Sequence, residues 1–442
     1  MIRQIKNIVL SLCLGLSTFS LIAQEKEEEL PVTPSLQQLL DYALVNSINI
    51  RNAYLGEEIG EKEIQSALSG YYPQVMASGT LNHYLEIPTN IIGGNLIQMG
   101  QRNTSNVIAE ANQALLNPDL MRASRAARLI RERTKQTVEE QKISTVVDVS
   151  KAYYDILTTE EQIKIIQENI SRIQRQFTDA NVRYEVGLVD KTDYKRAQIS
   201  LNNAQAELKK THEFRKYKYD FLKQLLALPV SHLMDLSFNK ENLEARVLLD
   251  TTDVLDEERR IEYRQLVNMK REQELNTQFQ KWQFLPTIGA YANYQLNFFN
   301  PRFGDLYNRS FPNSAVGLTL SIPIFQGLRR HHEIRKSQLQ EMQLEWDMVD
   351  LKNRIGVEYS QAITNYRAYM TDWKMSRENV ALSEEVYNII KLQYDEGIKT
   401  YLDLMISETD LRTSQLNYLN ALYTLLASKI DVERALGNVQ IQ

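Results

Sequence analysis

The side chains that most often do chemistry are scarce in this chain. One cysteine, Cys13, and five histidines stand among 442 residues. His331 and His332 are adjacent, and neighbours on a helix point in different directions, so they make no shared metal site. Nothing along the sequence resembles a nucleophile–base pair, a phosphate-cradling glycine loop or a cluster of metal ligands. The expectation is therefore a protein without catalysis, cofactor or disulfide framework. What remains is carboxylate chemistry at two related places. Asp193 and Asp403 each follow a glycine, Gly187 and Gly397, close to a helix start. A carboxylate there caps free backbone N–H groups and suits the helix dipole.

Charge and hydropathy bound the setting of those carboxylates. Lys and Arg number 51 against 56 Asp and Glu, a net charge of −5, which is no basis for a nucleic-acid partner. Residues 1–23, MIRQIKNIVLSLCLGLSTFSLIA, combine Arg3 and Lys6, an apolar run around 8–16 and a small residue before Gln24, the layout of a secretory signal peptide. That run is well short of the roughly 20 apolar residues of a spanning helix. Cleavage after Ala23 would remove Cys13, Arg3 and Lys6, moving the net charge from −5 to −7. Gln24 offers no thiol to a lipid anchor. No later run is long and apolar enough for a transmembrane helix, so any membrane span must be made of strands.

The chain repeats itself. A shift of 210 positions aligns Ser150 with Ser360, Ala152 with Ala362, Tyr184 with Tyr394, Gly187 with Gly397, Asp193 with Asp403, Leu201 with Leu411 and Gln205 with Gln415. A shift of 213 aligns Arg51 with Arg264 and Pro73 with Pro286. Both repeats read in the same order: helix, strand, strand, long helix, tight turn, return helix. The first covers 35–228 and the second 257–436. Between them, 229–256 breaks the helical pattern and reads as a link.

Period-2 alternation predicts strands at about 74–86, 104–116, 286–298 and 314–324. Polar loops at roughly 88–104 and 299–313 separate the members of each pair. The opening helix is expected from Ser35, where Ser35 and Gln38 fit a capping box, to about Gly70. Gly56 and Gly60 inside it are either tolerated flaws or points of close approach to a neighbour. Residues 119–186 contain neither Gly nor Pro, and 328–396 contain only Gly356. A helix of that length reaches about 100 Å. Ile163, Ile166, Ile170, Ile173, Phe177, Ala180 and Tyr184 follow alternating steps of three and four, a coiled-coil seam. Each long helix thus reads as one arm of an antiparallel hairpin turning at Gly187 or Gly397.

Four strands cannot wall off a hole in lipid, because an open sheet leaves its edge N–H and C=O groups without partners. The smallest known membrane barrels use about eight strands, so several copies must pool theirs, and three would supply twelve. The helices carry charge throughout and must project into water. The fold class is then α plus transmembrane β, with internal duplication. A secreted periplasmic coiled-coil scaffold without channel activity is the rival reading. The alternating segments speak against it, since a soluble scaffold has no use for an outward apolar band.

Several motifs carry a resemblance. They are the paired helix-to-strand prolines Pro73 and Pro286, the Ser-Ile-Pro-Ile-Phe run at 321–325, and the tip motifs Arg-Tyr-Glu-Val-Gly-Leu at 183–188 and Gln-Tyr-Asp-Glu-Gly-Ile at 393–398. In this order and spacing, over 35–436, the chain resembles the TolC-like family of outer membrane efflux proteins. The resemblance implies a homotrimer in the cell outer membrane, with a twelve-stranded β-barrel continuous with a twelve-helix periplasmic α-barrel. Such a duct exports small molecules or proteins for a tripartite efflux or type I secretion system, through a periplasmic adaptor and an inner-membrane pump. It further implies a periplasmic gate, in which Tyr394 and Lys399 tie to Thr192 and Asp193 and Asp403 adds one carboxylate per copy. The position three residues on, acidic in familiar members, is Ile406 here, and Glu408 is poorly placed to replace it. Tyr184, Gly187, Leu188, Gly397 and Ile398 are the expected adaptor-contacting tips, with a purely local tight turn as the alternative.

Overall fold

A computed structural model of the chain describes residues 30–187, 190–236, 240–249 and 254–441. The expected signal peptide at 1–23 and the tip residue Leu188 lie outside these residues. Ser35 opens the first helix through the expected box: Gln38 N–H donates to Ser35 Oγ at 3.3 Å and Ser35 N–H to Gln38 Oε1 at 2.9 Å. The single helix expected from Ser35 to Gly70 is two, α1 (Leu36–Asn46) and α2 (Ile48–Leu68). Ser47 leaves helical geometry at φ −54°, ψ 130° while its N–H still closes α1 on the Ala43 carbonyl. Serine competes for backbone groups and so favours such breaks over helix interiors. The two glycines of α2 also separate. A side chain at Gly60 would meet Thr134 Cγ2 at 2.9 Å, whereas Gly56 faces open space.

Four antiparallel strands follow in two instalments: β1 (Gln74–His83) and β4 (Asn103–Leu116), then β5 (Thr287–Asn300) and β6 (Ser310–Ser321). They lie side by side in the order β1-β4-β5-β6, so the duplicated pairs meet at the β4–β5 ladder. The strands shift by a few residues from the predicted bounds, β6 most, beginning at Ser310 rather than 314. Register sorts the faces. Val75, Ala111, Ala292 and Val316 lie across from one another on one face, as do Ala77, Ala109 and Tyr294. The opposite face carries Gln74, Asn112, Glu110, Asn293, Asn106 and Asn297, with Asn106 donating to Asn297 Oδ1 at 3.1 Å. On that face the Tyr291 ring lies over Gly317, where any side chain would collide with it. The loop expected at 88–104 holds a hairpin, β2 (Thr89–Ile92) and β3 (Asn95–Gln98). Gly93 and Gly94, both at positive φ, make the tight turn that two-residue hairpins demand.

The helices hang from one end of this sheet. β4 leads into α3 (Pro118–Glu185), which returns as α4 (Lys191–Leu225); β6 leads into α7 (Arg329–Asp395), which returns as α8 (Tyr401–Leu436). Between them lie the short α5 (Lys240–Ala245) and α6 (Ile261–Trp282), the latter entering β5. At 68 and 67 residues, α3 and α7 each extend about 100 Å. The heptad reading of α3 is visible in the burial of Ile163, Ile166, Ile173 and Ala180, with Ile173 against Leu201 and Ala204 of α4 and Ala180 against Ala197. The main core gathers α1, the middle of the hairpins and the link around Leu39, Ile156, Leu157, Leu222, Leu422 and Leu425. Each fully buried leucine contributes about 1.5–3 kcal/mol. Two tyrosine hydroxyls pin the link: Tyr219 accepts from Leu236 N–H at 2.9 Å, and Tyr366 donates to the Val247 carbonyl at 2.9 Å. Among the described residues no helix is long and apolar enough to cross a membrane.

Candidate functional site

The two hairpin turns are built by the same backbone chemistry. Gly187 N–H closes on the Tyr184 carbonyl at 3.0 Å with φ +79°, and Gly397 N–H on the Tyr394 carbonyl at 3.0 Å with φ +74°. In the second turn Ile398 N–H also reaches the Gln393 carbonyl at 2.8 Å, completing a Schellman motif that leaves Ile398 exposed. A left-handed residue is required at both places, which is why glycine occupies them.

The carboxylates beyond the turns do different work. Thr400 is the N-cap of α8 and Asp403 completes a capping box with it: Asp403 N–H donates to Thr400 Oγ1 at 3.2 Å, and Thr400 N–H returns a bond to Asp403 Oδ2 at 3.0 Å. The Thr400 hydroxyl and N–H hold the Asp403 carboxyl below the usual carboxylate range, and the Lys399 charge adds to this. In the first hairpin the cap is Asp190, whose carboxylate accepts from Thr192 N–H at 2.8 Å. Asp193 is not the cap; it stands in the first turn of α4. Among the described residues no hydrogen bond or ion pair within one chain joins Tyr394 or Lys399 to Thr192 or Asp193. The hairpins meet through rings instead. Tyr401 is buried against Ala180 and Ala197 of the first hairpin, with Tyr394 and Phe177 beside it. Arg183 lies over the Tyr394 ring at 5.3 Å. Burial pushes the Tyr394 and Tyr401 hydroxyls up, and the Asp193 charge adds to both. Tyr184 stacks on Tyr194 of its own hairpin at 6.0 Å.

Deeper in the same seam sits a buried polar cluster, centred on Glu408, that the sequence did not predict. Glu408 is 3% exposed, and both its oxygens are engaged by α3. Asn169 Nδ2 donates to Oε1 at 3.2 Å, Arg172 Nε to Oε1 at 3.0 Å and Gln176 Nε2 to Oε2 at 2.8 Å. Burial raises the Glu408 pKa, with Gln176 and Arg172 opposing. The signal was present as Asn169, Arg172 and Gln176 at steps of three and four on one helix face. Their partner, Glu408, lies on a helix more than 200 residues away, and its position in the sequence marks it only as a poor replacement for an acid at 406.

Relatives with this architecture are known. Residues 39–227 and 271–438 match the family described as Outer membrane efflux protein, well over half of the chain. The chain belongs to the outer membrane efflux protein family. It is 23% identical to the outer membrane efflux protein BepC of Brucella suis over 423 residues, covering 92% of this chain and 86% of BepC. To the outer membrane protein TolC of Escherichia coli it is 21% identical over 445 residues, covering 97% and 86%. The fold matches the crystal structure of the outer membrane protein VceC from Vibrio cholerae with a TM-score of 0.71 at 14% identity, over 91% of this chain and 96% of that one. The two matched stretches contain both hairpin turns, at Gly187 and Gly397, and all four strands of the main sheet in full. Efflux proteins of this family are channels rather than enzymes, placed in the outer membrane with the helices on the periplasmic side. The apolar sheet face, with Val75, Val316, Leu318 and Leu320 exposed in a single chain, is the face suited to lipid.

Proposed function

We propose that the chain is one of three identical copies forming a passive exit duct for a tripartite efflux or type I secretion system. The observation that carries this reading is a four-stranded sheet with one apolar and one polar face and two unpaired edges, β1 and β6. Three such sheets joined edge to edge satisfy every backbone group in lipid and put Glu110, Asn106 and Asn297 around a water-filled lumen. The helical hairpins continue the wall into the periplasm, where the pump supplies the energy and the duct only conducts. An adaptor is met by the tips, with Ile398 as the exposed apolar contact and Leu188 as its counterpart. Signal peptide cleavage after Ala23 would precede assembly.

The entrance is gated by Thr192, Asp193, Tyr394, Lys399 and Asp403. Within one chain these residues do not bond across the hairpins, which leaves Lys399 to act between neighbouring copies. Three Asp403 carboxylates at one narrow place attract cations. Planar-bilayer recording tests this. Purified protein is expected to open channels of small conductance that divalent cations block. Lys399→Ala with Asp403→Ala should raise the conductance several-fold and relieve the block. Unchanged conductance together with unchanged block would remove these residues from the gate.

A further inference from the structure

The segment joining β6 to α7 has a composition that the duct itself does not use. Ile322 and Ile324 keep the alternation of Val316, Leu318 and Leu320, with Pro323 holding the backbone before it extended. Ile324 is 95% exposed and Phe325 82% exposed. Basic residues then crowd together. Arg329, Arg330, His331 and His332 open α7 with no acidic residue in the first turn and no side-chain cap. The starts of α3, α4 and α8 carry Asp119, Asp193 and Asp403 instead. Cations at a helix start oppose its dipole, so the helix gains nothing from them. The protein supplies them with little compensation. Arg330 Nε donates to Gln326 Oε1 at 2.9 Å and Arg329 Nη2 to the same oxygen at 3.3 Å, and among the described residues neither makes an ion pair. Phe284, Ile324, Phe325 and Leu328 line a small hollow together with the polar ends of Gln326, Arg330 and His331.

We propose that this patch docks anionic phospholipid of the periplasmic leaflet. It rests on the outer-membrane placement of the sheet, whose apolar face it continues. Ile324 and Phe325 lie where that face ends, at the depth of the upper acyl chain. The two guanidiniums follow within five residues, at the depth of the phosphate, and guanidinium forks pair with phosphate oxygens in bidentate fashion. Charge and apolar surface in this order along the chain are what a leaflet with a negative headgroup layer presents in reverse. Each copy in a closed assembly contributes one such patch, so the duct is ringed by them and its depth in the membrane is fixed.

Native mass spectrometry on the full-length, delipidated protein tests this. The protein is titrated with phosphatidylglycerol and with phosphatidylethanolamine. Wild type is expected to retain phosphatidylglycerol about tenfold better. Arg329→Gln with Arg330→Gln should bring that ratio to within about twofold, while Arg329→Lys with Arg330→Lys keeps part of it. Lys209→Gln with Lys210→Gln, on the exposed surface of α4, should leave it unchanged. An unchanged ratio in the Gln variant overturns the proposal, as does a wild type without preference. Displacement of the lipid by inorganic phosphate would reassign the patch to a free anion. Loss of assembly in the Gln variant at a constant lipid ratio would assign it to a neighbouring copy. Failure of the duct reading is distinct from all of these, because it shows as wild-type protein that opens no channel.

Discussion

The two long helices α3 and α7 are duplicates in sequence position and in length, yet they live in different surroundings. α3 is buried at intervals from Ala127 to Ala180, with α2, α4, α6 and α8 all against it. α7 buries only Ser337, Ile355, Ala362, Ile363, Tyr366, Trp373 and Tyr387, and leaves Leu339, Met342, Trp346 and Val349 exposed along one side. At the other margin of the same layer α2 exposes Ile48, Leu55 and Ile59. The sheet repeats the lesson, since β1 and β6 are its free edges and α2 and α7 are the helices attached to them. A duplicated chain that closed on itself would give both copies the same environment. This one is finished in the middle and unfinished at its two sides, and the sides match: apolar helix stripe to apolar helix stripe, strand edge to strand edge.

Charging the unfinished side should break the molecule's assembly and spare its fold. Met342→Glu with Trp346→Glu on α7 is expected to abolish the trimer on non-denaturing gels while helical content by circular dichroism stays near wild type. The reverse pattern belongs to α3. Leu157→Ala, in the finished interior, should cost about 2–5 kcal/mol in unfolding free energy. If the α7 variant assembled normally, the contrast between the two helices would have no quaternary meaning.

A smaller effect sharpens the contrast at the seam where the repeats meet inside one chain. Glu408→Ala removes the carboxylate facing part-buried Arg172 and leaves Asn169 and Gln176 without their acceptor, which should lower stability by about 1–3 kcal/mol. Glu408→Gln keeps the volume and costs less. Because burial raises the folded-state pKa of Glu408, its contribution is fully present below the ordinary carboxylate pKa and is lost as pH rises through the folded value. Wild-type thermal stability relative to Glu408→Gln should therefore fall as pH rises from the carboxylate range toward neutrality. A difference that is flat with pH would mean that Glu408 does not titrate in the seam.

The repeats, the strands and the hairpins were legible in the sequence because each rests on a local period: two for the strands, three and four for the coiled coil, and a glycine where φ must be positive. The break at Ser47 was not, since α1 and α2 have continuous helical periodicity and the serine looks ordinary within it. The β2–β3 hairpin was hidden by its shortness, though Gly93-Gly94-Asn95 between Ile91-Ile92 and Leu96-Ile97 was its mark. Gly60 and Gly56 are the same residue four places apart, and only the position of Thr134 tells them apart. At the tips the sequence showed where the chain turns and which polar groups follow. It did not show that Asp190 takes the capping role at the first turn, nor that Tyr401 plugs the gap between the hairpins. Contacts between helices more than 200 residues apart, as in the Glu408 cluster, leave no local period to read.

Counting the copies in the detergent-extracted particle bears most directly on all of this. Native mass spectrometry of the full-length protein should give three chains and no stable single chain, because the two sheet edges and the two bare helix faces are satisfied only by closure. A predominant monomer that remains dispersed after the detergent is removed would contradict it.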